Sequence, residues 1–172
     1  AAEQKYLKLI RTNTNRLLSL TGELLNFRKL ETGNVTLRVS KENLVEFVQE
    51  IYISYTQFAI NKHIEYKFEY SQPEISVWID KVQFERAVCN LISNAFKYTP
   101  EKGEISVKVN YTNDGEATVS VVDTGEGIEV GEISHIFNRF YQVDKQAEGN
   151  GFGVGLAITR EIVLLHGGNI QV

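Results

Sequence analysis

Cysteine, basic charge and long apolar runs are scarce in this sequence, and each scarcity excludes a class of protein. The only cysteine is Cys89, which excludes an intrachain disulfide framework and a multi-cysteine metal site. No apolar stretch approaches the ~20 residues that a membrane-spanning helix needs. The net charge of -4 leaves no basic footprint for a nucleic-acid partner. A polyanionic ligand would therefore have to be held by a few local basic residues.

The remaining composition is that of an ordinary globular protein. The chain has 172 residues, of which 42% are hydrophobic and 23% are charged. This length fits one domain of about 100–150 residues with an appendage.

Proline and glycine divide the chain into predicted elements. Residues 3–31 contain no proline, and their apolar residues recur at helical spacing, so a long amphipathic helix is expected to end near Gly33. A strand is predicted over 35–39, followed by a helix that Ser40 caps and that runs to about residue 61. Further strands are predicted over 64–70 and 75–79, and Asp80 is expected to cap a helix that runs to Tyr98.

The second half of the chain contains a hairpin signal. Strands are predicted over 105–111 and 117–122, joined by an Asn-Asp-Gly turn. A short helix near 132–137, a helix over 154–166 and the beginning of a strand at 169–172 complete the prediction. Because strands and helices do not alternate strictly, the pattern favours an α+β fold, a two-layer sandwich with a mixed sheet.

Three polar residues share one face of the helix predicted over 80–98. Asn90, Asn94 and Lys97 stand at positions i, i+4 and i+7. Amide oxygens suit a hard cation such as Mg²⁺, and a lysine suits phosphate oxygens. A solvated helix face that ends in a lysine is the alternative.

A carboxylate follows the apolar strand that ends near residue 122. Asp123 is followed by Gly125 and Gly127, which would let a ligand approach the backbone closely. A buried carboxylate needs a donor, and the amine of adenine could supply it. A plain β-turn is the alternative.

A glycine-rich run leads into the last predicted helix. Backbone N–H groups at a helix N-terminus would be exposed by Gly151, Gly153 and Gly155. Phosphate is a common ligand of such groups. The segment before them is polar, so the strand-led dinucleotide fingerprint does not fit. Alone, the run could equally be a linker, but the three motifs together favour Mg²⁺-ATP.

In this combination the chain resembles the ATP-binding domain of sensor histidine kinases, including those of hybrid two-component systems. Residues 90–99 are similar to the N box of that family, 123–127 to its first glycine box, 136–141 to its phenylalanine box and 151–156 to its second glycine box. Residues 1–33 resemble the second helix of the dimerisation and phosphoacceptor domain. The resemblance implies a partial dimerisation domain over 1–33 and a catalytic domain over 34–172, which lacks the last strand of the family.

The resemblance also implies a role for each motif residue. Mg²⁺ would be held by Asn94 with help from Asn90, and the catalytic group would be Asn90, Lys97 and Arg139. Residues 141–150 would form a lid over the phosphates. ATP would be bound by Asn94, Lys97, Tyr98, Asp123, Gly125, Gly127, Ile128, Gly151, Gly153, Val154, Gly155 and Leu156.

Phosphoryl transfer to a histidine is implied rather than hydrolysis. In the ATPases of the superfamily a glutamate that activates water stands where this chain has Asn90, and an amide cannot act as a general base. The acceptor in the family lies on the first dimerisation helix, whereas this sequence has no histidine before His63. His63, His135 and His166 are interpreted as structural. The 172-residue chain would therefore bind nucleotide without phosphorylating itself.

The expected partners are those of a bacterial two-component system. They are the dimerisation and phosphoacceptor domain, a response regulator receiver and a second copy of the parent protein. The domain would be cytoplasmic, in a parent that is a membrane-bound sensor. Three alternatives remain: an aspartic protease, because Asp123-Thr124-Gly125 resembles that active-site triplet, a superfamily ATPase, and a degenerate kinase kept for docking.

Overall fold

The computed structural model describes residues 36–112, 114–142 and 153–172, together with six residues before them. Those six are all helical, as predicted for the N-terminal segment, and they are Tyr6, Ile10, Arg11, Thr14, Thr21 and Gly22. The rest of that predicted helix, its end near Gly33 and most of the predicted lid lie outside the described residues. No helix in the described part of the chain is long and apolar enough to cross a membrane.

The described residues between 40 and 165 form five strands and three helices. In chain order they are β1 (Ser40–Asn43), α1 (Leu44–Asn61), β2 (Glu65–Tyr70), β3 (Ser76–Ile79), α2 (Lys81–Tyr98), β4 (Glu104–Tyr111), β5 (Ala117–Asp123) and α3 (Gly155–Leu165). Strands β2, β4 and β5 form a sheet in that order, in which β2 is parallel and β5 antiparallel to β4. Strands β1 and β3 form a separate antiparallel pair. The predicted α+β fold with a mixed sheet is therefore confirmed.

The sheet is apolar on the face that α1 and α2 cover. Ile105, Val107 and Val109 alternate along β4 and are fully buried against the two helices. The other face is polar, and its ion pairs lie within 2.8–3.0 Å, between Lys67 and both Glu65 and Glu104, and between Lys108 and Glu69. The hydrophobic core thus lies between one sheet face and two helices, as in a two-layer sandwich.

Asp80 joins three parts of the fold at the start of α2. Its Oδ1 accepts the N–H of Gln83 at 3.2 Å, which is the predicted cap, and its Oδ2 accepts the N–H of Arg38 at 2.9 Å. Its own N–H donates to Nε2 of His166 at 2.9 Å, beyond the end of α3. Because Nδ1 of His166 lies 2.7 Å from the carbonyl of Ile162, which can only accept, the ring is neutral with its proton on Nδ1.

The first strand and the cap of α1 differ from the prediction. Residues 36–39 form no strand, since the Arg38 N–H is taken by Asp80, and the strand begins at Ser40 instead. The helix is capped by Asn43, whose Oδ1 accepts N–H groups of both Val45 and Ile75. Ser40 was the wrong cap because its hydroxyl donates to Glu42.

Two further predicted elements are absent from the described residues. The segment 132–137 is a chain of turns rather than a helix. The N–H groups of His135 and Asn138 bond carbonyls three residues back, and the four-residue bond from Ile136 to Glu132 is not continued by a second one in this segment. Residues 169–172 form no strand, and the N–H of Ile170 is held by the side chain of Asn169.

Alkaline pH should destabilise the fold through Tyr55. Its ring stacks on Phe96, and burial raises its pKa from 10 to about 12. An unfolded tyrosine ionises first, so this contribution is fully present below pH 10 and is lost as the pH rises towards 12. We expect Tyr55→Phe to lose less stability over this range in denaturant titrations at stepped pH. Burial also raises the pKa of Tyr66, so the loss should be reduced rather than abolished. Equal losses in the two proteins would contradict the assignment.

Candidate functional site

Helix α2 separates the core from a polar face. Its buried side carries Val88, Ile92, Ala95 and Phe96. Asn90, Asn94 and Lys97 lie off that side, and none of them is fully buried. No hydrogen bond is made by the Asn94 side chain to any part of the chain that the structure describes. The face predicted to meet a cation and phosphate is therefore accessible.

The N-terminal turn of α3 lies directly against Asn90. A Cβ at Gly155 would come within 2.5 Å of Oδ1 and 2.7 Å of Nδ2 of Asn90, so the Asn90 amide would have to move to make room for a side chain. The Nδ2 group donates to Oγ1 of Thr159 at 2.9 Å, one helical turn further along α3. Glycine at this position thus allows the Asn90 amide to lie directly against α3.

The loop after β5 lies against the other end of α2. The carboxylate of Asp123 accepts the N–H of Gly125 at 2.8 Å, which folds the loop back over the strand end. A Cβ at Gly125 would lie 2.7 Å from the carbonyl oxygen of Tyr98. The first glycine box therefore borders Tyr98, which is the last residue of α2 and belongs to the N box.

The phenylalanine box meets the second glycine box through the backbone. Gly153 has a φ of +68°, and a Cβ there would lie 2.6 Å from the carbonyl oxygen of Tyr141. Phe140 also has a positive φ, of +59°, which is uncommon for a residue other than glycine. Arg139, next to it, has an exposed side chain. Tyr141, where the predicted lid begins, and Gly153, just beyond it, therefore lie beside each other.

The other predicted residues are distributed around these contacts. The Lys97 ammonium donates to the Tyr98 hydroxyl at 3.0 Å and lies 4.7 Å from its ring centre. Gly127 has a φ of +74° with open space around it, and Ile128 is exposed. Val154 is buried and Leu156 half-buried, while Gly151 lies outside the described residues.

Thr159 was missed by sequence reasoning. Its side chain is fully buried, and its hydroxyl donates to the carbonyl of Gly155 at 3.1 Å while accepting from Asn90. The available signal was one hydroxyl among the apolar residues of α3, one turn after Gly155. A single hydroxyl in an apolar helix does not indicate a role unless it is known that α3 packs against α2 and brings Thr159 to Asn90.

Cys89 precedes Asn90 but belongs to the core side of α2. It packs against the main hydrophobic cluster, and its carbonyl accepts the Tyr55 hydroxyl at 3.4 Å. Burial raises the pKa of its thiol, which keeps the sulfur protonated at neutral pH. Its interpretation as a small core residue is consistent with this environment.

The residues present fit a hard cation bound together with a phosphate ligand. Amide oxygens on one helix face are ligands that Mg²⁺ accepts when phosphate and water complete the shell. The glycines at 125 and 155 keep both flanks of that face free of side chains. The N-terminus of α3, an 11-residue helix, adds backbone N–H groups that favour an anion.

The chain is similar to a known protein family and to named relatives. The model of the histidine kinase-, DNA gyrase B- and HSP90-like ATPases matches residues 79–172. Histidine kinase P4 of Formosa agariphila is 39% identical over 173 residues, an alignment that covers 98% of this chain. The chain spans only 13% of the length of that relative.

Two solved structures share the fold over nearly the whole chain. Full-length ShkA in complex with AMPPNP has a TM-score of 0.83 and 26% identity, covering 95% of this chain and 34% of that one. Histidine kinase ThkA in complex with the response regulator protein TrrA has a TM-score of 0.75 and 25% identity, covering 95% of this chain and 45% of that one.

The contact between Gly155 and Asn90 can be tested by adding one methyl group. We expect Gly155→Ala to lower the free energy of unfolding by about 1–3 kcal/mol, because overpacking forces α3 away from α2. Gly131→Ala is the matched control, since nothing lies within 4 Å of its Cβ position. The double variant Asn90→Ala with Gly155→Ala should recover part of the loss in a double-mutant cycle. Strict additivity would show that the clash involves another group.

Proposed function

The chain belongs to the family of histidine kinase-, DNA gyrase B- and HSP90-like ATPases, and on that basis we propose that it is the ATP-binding catalytic part of a sensor histidine kinase. The family resemblance stated from the sequence motifs is thereby confirmed. The activity of the complete protein is our proposal, since the chain spans a small part of its relatives.

One observation carries the proposal more than any other. Two glycines bring separate segments onto α2, Gly155 at Asn90 and Gly125 at the backbone of Tyr98. A helix N-terminus and the loop that carries Asp123 therefore both meet the helix that carries Asn90, Asn94 and Lys97, and we infer that these groups border one nucleotide cleft. A nucleotide with a base, a metal ion and phosphates uses all three. The neighbour ShkA, bound to the ATP analogue AMPPNP, supports ATP as that nucleotide.

We assign the adenine end of the nucleotide to the loop after β5. Oδ1 of Asp123 is held by the Gly125 N–H, which leaves Oδ2 to accept the exocyclic amine of adenine. Tyr98 would lie along the ring, and Gly125, Gly127 and Ile128 would border it.

The phosphates are assigned to the N-terminus of α3 and to two basic side chains. Gly151, Gly153, Val154, Gly155 and Leu156 would surround them with backbone N–H groups. Lys97 would turn from Tyr98 to a phosphate oxygen, and Arg139 would offset charge near the γ-phosphate. We assign Asn94 and Asn90 as the ligands of Mg²⁺, which would offset part of the phosphate charge when bound.

Transfer to a histidine fits this chemistry better than hydrolysis. The phosphoryl group would leave ADP as the P–O bond breaks and form a P–N bond to an imidazole. Asn90 stands beside the cleft and cannot take a proton from water as a glutamate could. Among the three histidines, His166 has both ring nitrogens engaged with the backbone, and His63 and His135 lie in turns. We therefore place the acceptor outside these 172 residues, on a dimerisation domain.

The partners follow from this placement. We propose that residues 1–33 are part of that dimerisation domain and that 34–172 form the catalytic domain. The phosphoryl group would pass on to an aspartate of a response regulator, and the neighbour ThkA, in complex with the response regulator TrrA, supports such a partner. We further propose a bacterial, homodimeric parent that senses its stimulus at a membrane and holds this domain in the cytoplasm.

Asn94→Ala tests the metal assignment. We expect the fold to be retained and the Mg²⁺-dependent part of nucleotide affinity to be lost, because a ligand oxygen is removed. Calorimetric titration of ADP and AMPPNP with and without Mg²⁺ measures the Mg²⁺-dependent and the Mg²⁺-independent parts of the affinity. Asn110→Ala is the matched control, since Asn110 is exposed at the far end of β4. Unchanged Mg²⁺ dependence in Asn94→Ala would reject the assignment.

Asp123→Asn tests the adenine assignment. The new amide should keep its oxygen on the Gly125 N–H, so that its NH₂ would face the adenine amine, donor to donor. We expect ADP affinity to fall roughly tenfold or more, as about 1–3 kcal/mol for a mispaired polar group implies. Competition between ADP and GDP is the measurement, with Asp114→Asn in the exposed hairpin turn as the charge-matched control. Equal binding of both nucleotides by the unmutated protein would refute adenine recognition.

A further inference from the structure

We propose that Thr159 is a positioning residue, whose hydroxyl fixes the orientation of the Asn90 side-chain amide so that Oδ1 is presented for Mg²⁺. This inference rests on the proposed function of the cleft. Thr159 itself would not touch nucleotide or metal, because its side chain is fully buried.

The Thr159 hydroxyl makes two hydrogen bonds, one as donor and one as acceptor. The Thr159 hydroxyl has one hydrogen, and the carbonyl of Gly155, 3.1 Å away, can only accept it. Oγ1 is then left as an acceptor, and Nδ2 of Asn90 donates to it at 2.9 Å. The two ends of the Asn90 amide are therefore distinguished by a single hydroxyl.

The hydrogen bond from Nδ2 to Thr159 leaves the other end of the Asn90 amide for a ligand. With Nδ2 committed, Oδ1 is the free polar atom of Asn90, and no described residue donates a hydrogen bond to it. A flipped amide would present NH₂, which repels a cation. Because Thr159 is fully buried, water has no access to its hydroxyl to compete for it.

Packing against α3 also limits where the Asn90 amide can lie. The Asn90 amide lies against Gly155, at 2.5–2.7 Å from the position of a Cβ, so it is confined on one side by the backbone of α3. The same residue that confines it accepts the Thr159 hydroxyl. The second glycine box thus acts on the metal ligand through Thr159 as well as on phosphate.

Thr159→Val and Thr159→Ser separate the hydroxyl from the packing. Valine keeps the branched shape and removes the hydroxyl, whereas serine keeps the hydroxyl and loses a methyl group. We expect valine to weaken Mg²⁺ affinity in the presence of ADP by about tenfold or more, as loss of an outer-shell partner does. Affinity for ADP without Mg²⁺ should not change, and serine should restore the Mg²⁺ affinity. Thr56→Val is the matched control, because its hydroxyl also bonds a helix carbonyl, that of Ile53, but far from Asn90.

A second readout needs no ligand. The side-chain NH₂ resonances of Asn90 in nucleotide-free protein should shift or broaden in Thr159→Val and stay in place in Thr159→Ser. If valine prevents folding, Thr159→Ala against Thr159→Ser poses the same question.

The outcomes are distinct. Wild-type Mg²⁺ affinity in Thr159→Val, or equal losses in the valine and serine variants, would overturn the positioning role while leaving the nucleotide site intact. Absence of Mg²⁺-dependent ADP binding in the unmutated chain would overturn the proposed function and this inference with it. Loss in valine alone, with the Asn90 resonances displaced, would support it.

Discussion

The close approach of α3 to α2 is the contact on which the rest of the site depends. It is possible because position 155 has no side chain, so that the Asn90 amide can lie against the backbone of α3. A second contact fixes the far end of α3, where His166 accepts the N–H of Asp80. Between them Ala87, Val154, Ala157, Ile158 and Ile162 form a small apolar cluster. The helix pair is thus fixed by a polar contact at each end and apolar packing in the middle.

Helix α2 has two functions that compete for its surface. One side completes the main core, with Ile92 and Phe96 almost fully buried, and another carries the polar residues of the proposed site. The two needs are compatible because polar residues recur at helical spacing along one side while core residues keep another. Asp80 supports both, since its carboxylate caps α2 and holds the chain before β1. A site on a capped, core-packed helix is more precisely positioned than one on a loop.

Local signals account for what could be predicted. The Asp80 cap, the end of α2 at Tyr98, the β4–β5 hairpin and the glycine boxes are each specified within a few residues, and they were found from the sequence. The start of α1 was not, because Ser40 and Asn43 are both good capping residues and only the distant Ile75 N–H favours Asn43. Thr159 escaped notice for the same reason, since its partner Asn90 lies 69 positions away. Which residues bind nucleotide stays a prediction.

The glycines of the site are better explained by contact than by flexibility. A Cβ at Gly125, Gly153 or Gly155 would lie within 2.5–2.7 Å of another atom, whereas Gly127 and Gly131 have open surroundings. A glycine needed only for mobility would not require such neighbours. Those at 125 and 155 bring backbone against α2, where their N–H groups and the polar side chains can act on one ligand. Gly153, with a φ of +68°, also needs the left-handed conformation that glycine adopts at low cost. The contacts at Gly125 and Gly155 therefore determine how closely two separate segments approach α2, which a residue with a side chain at either position would change.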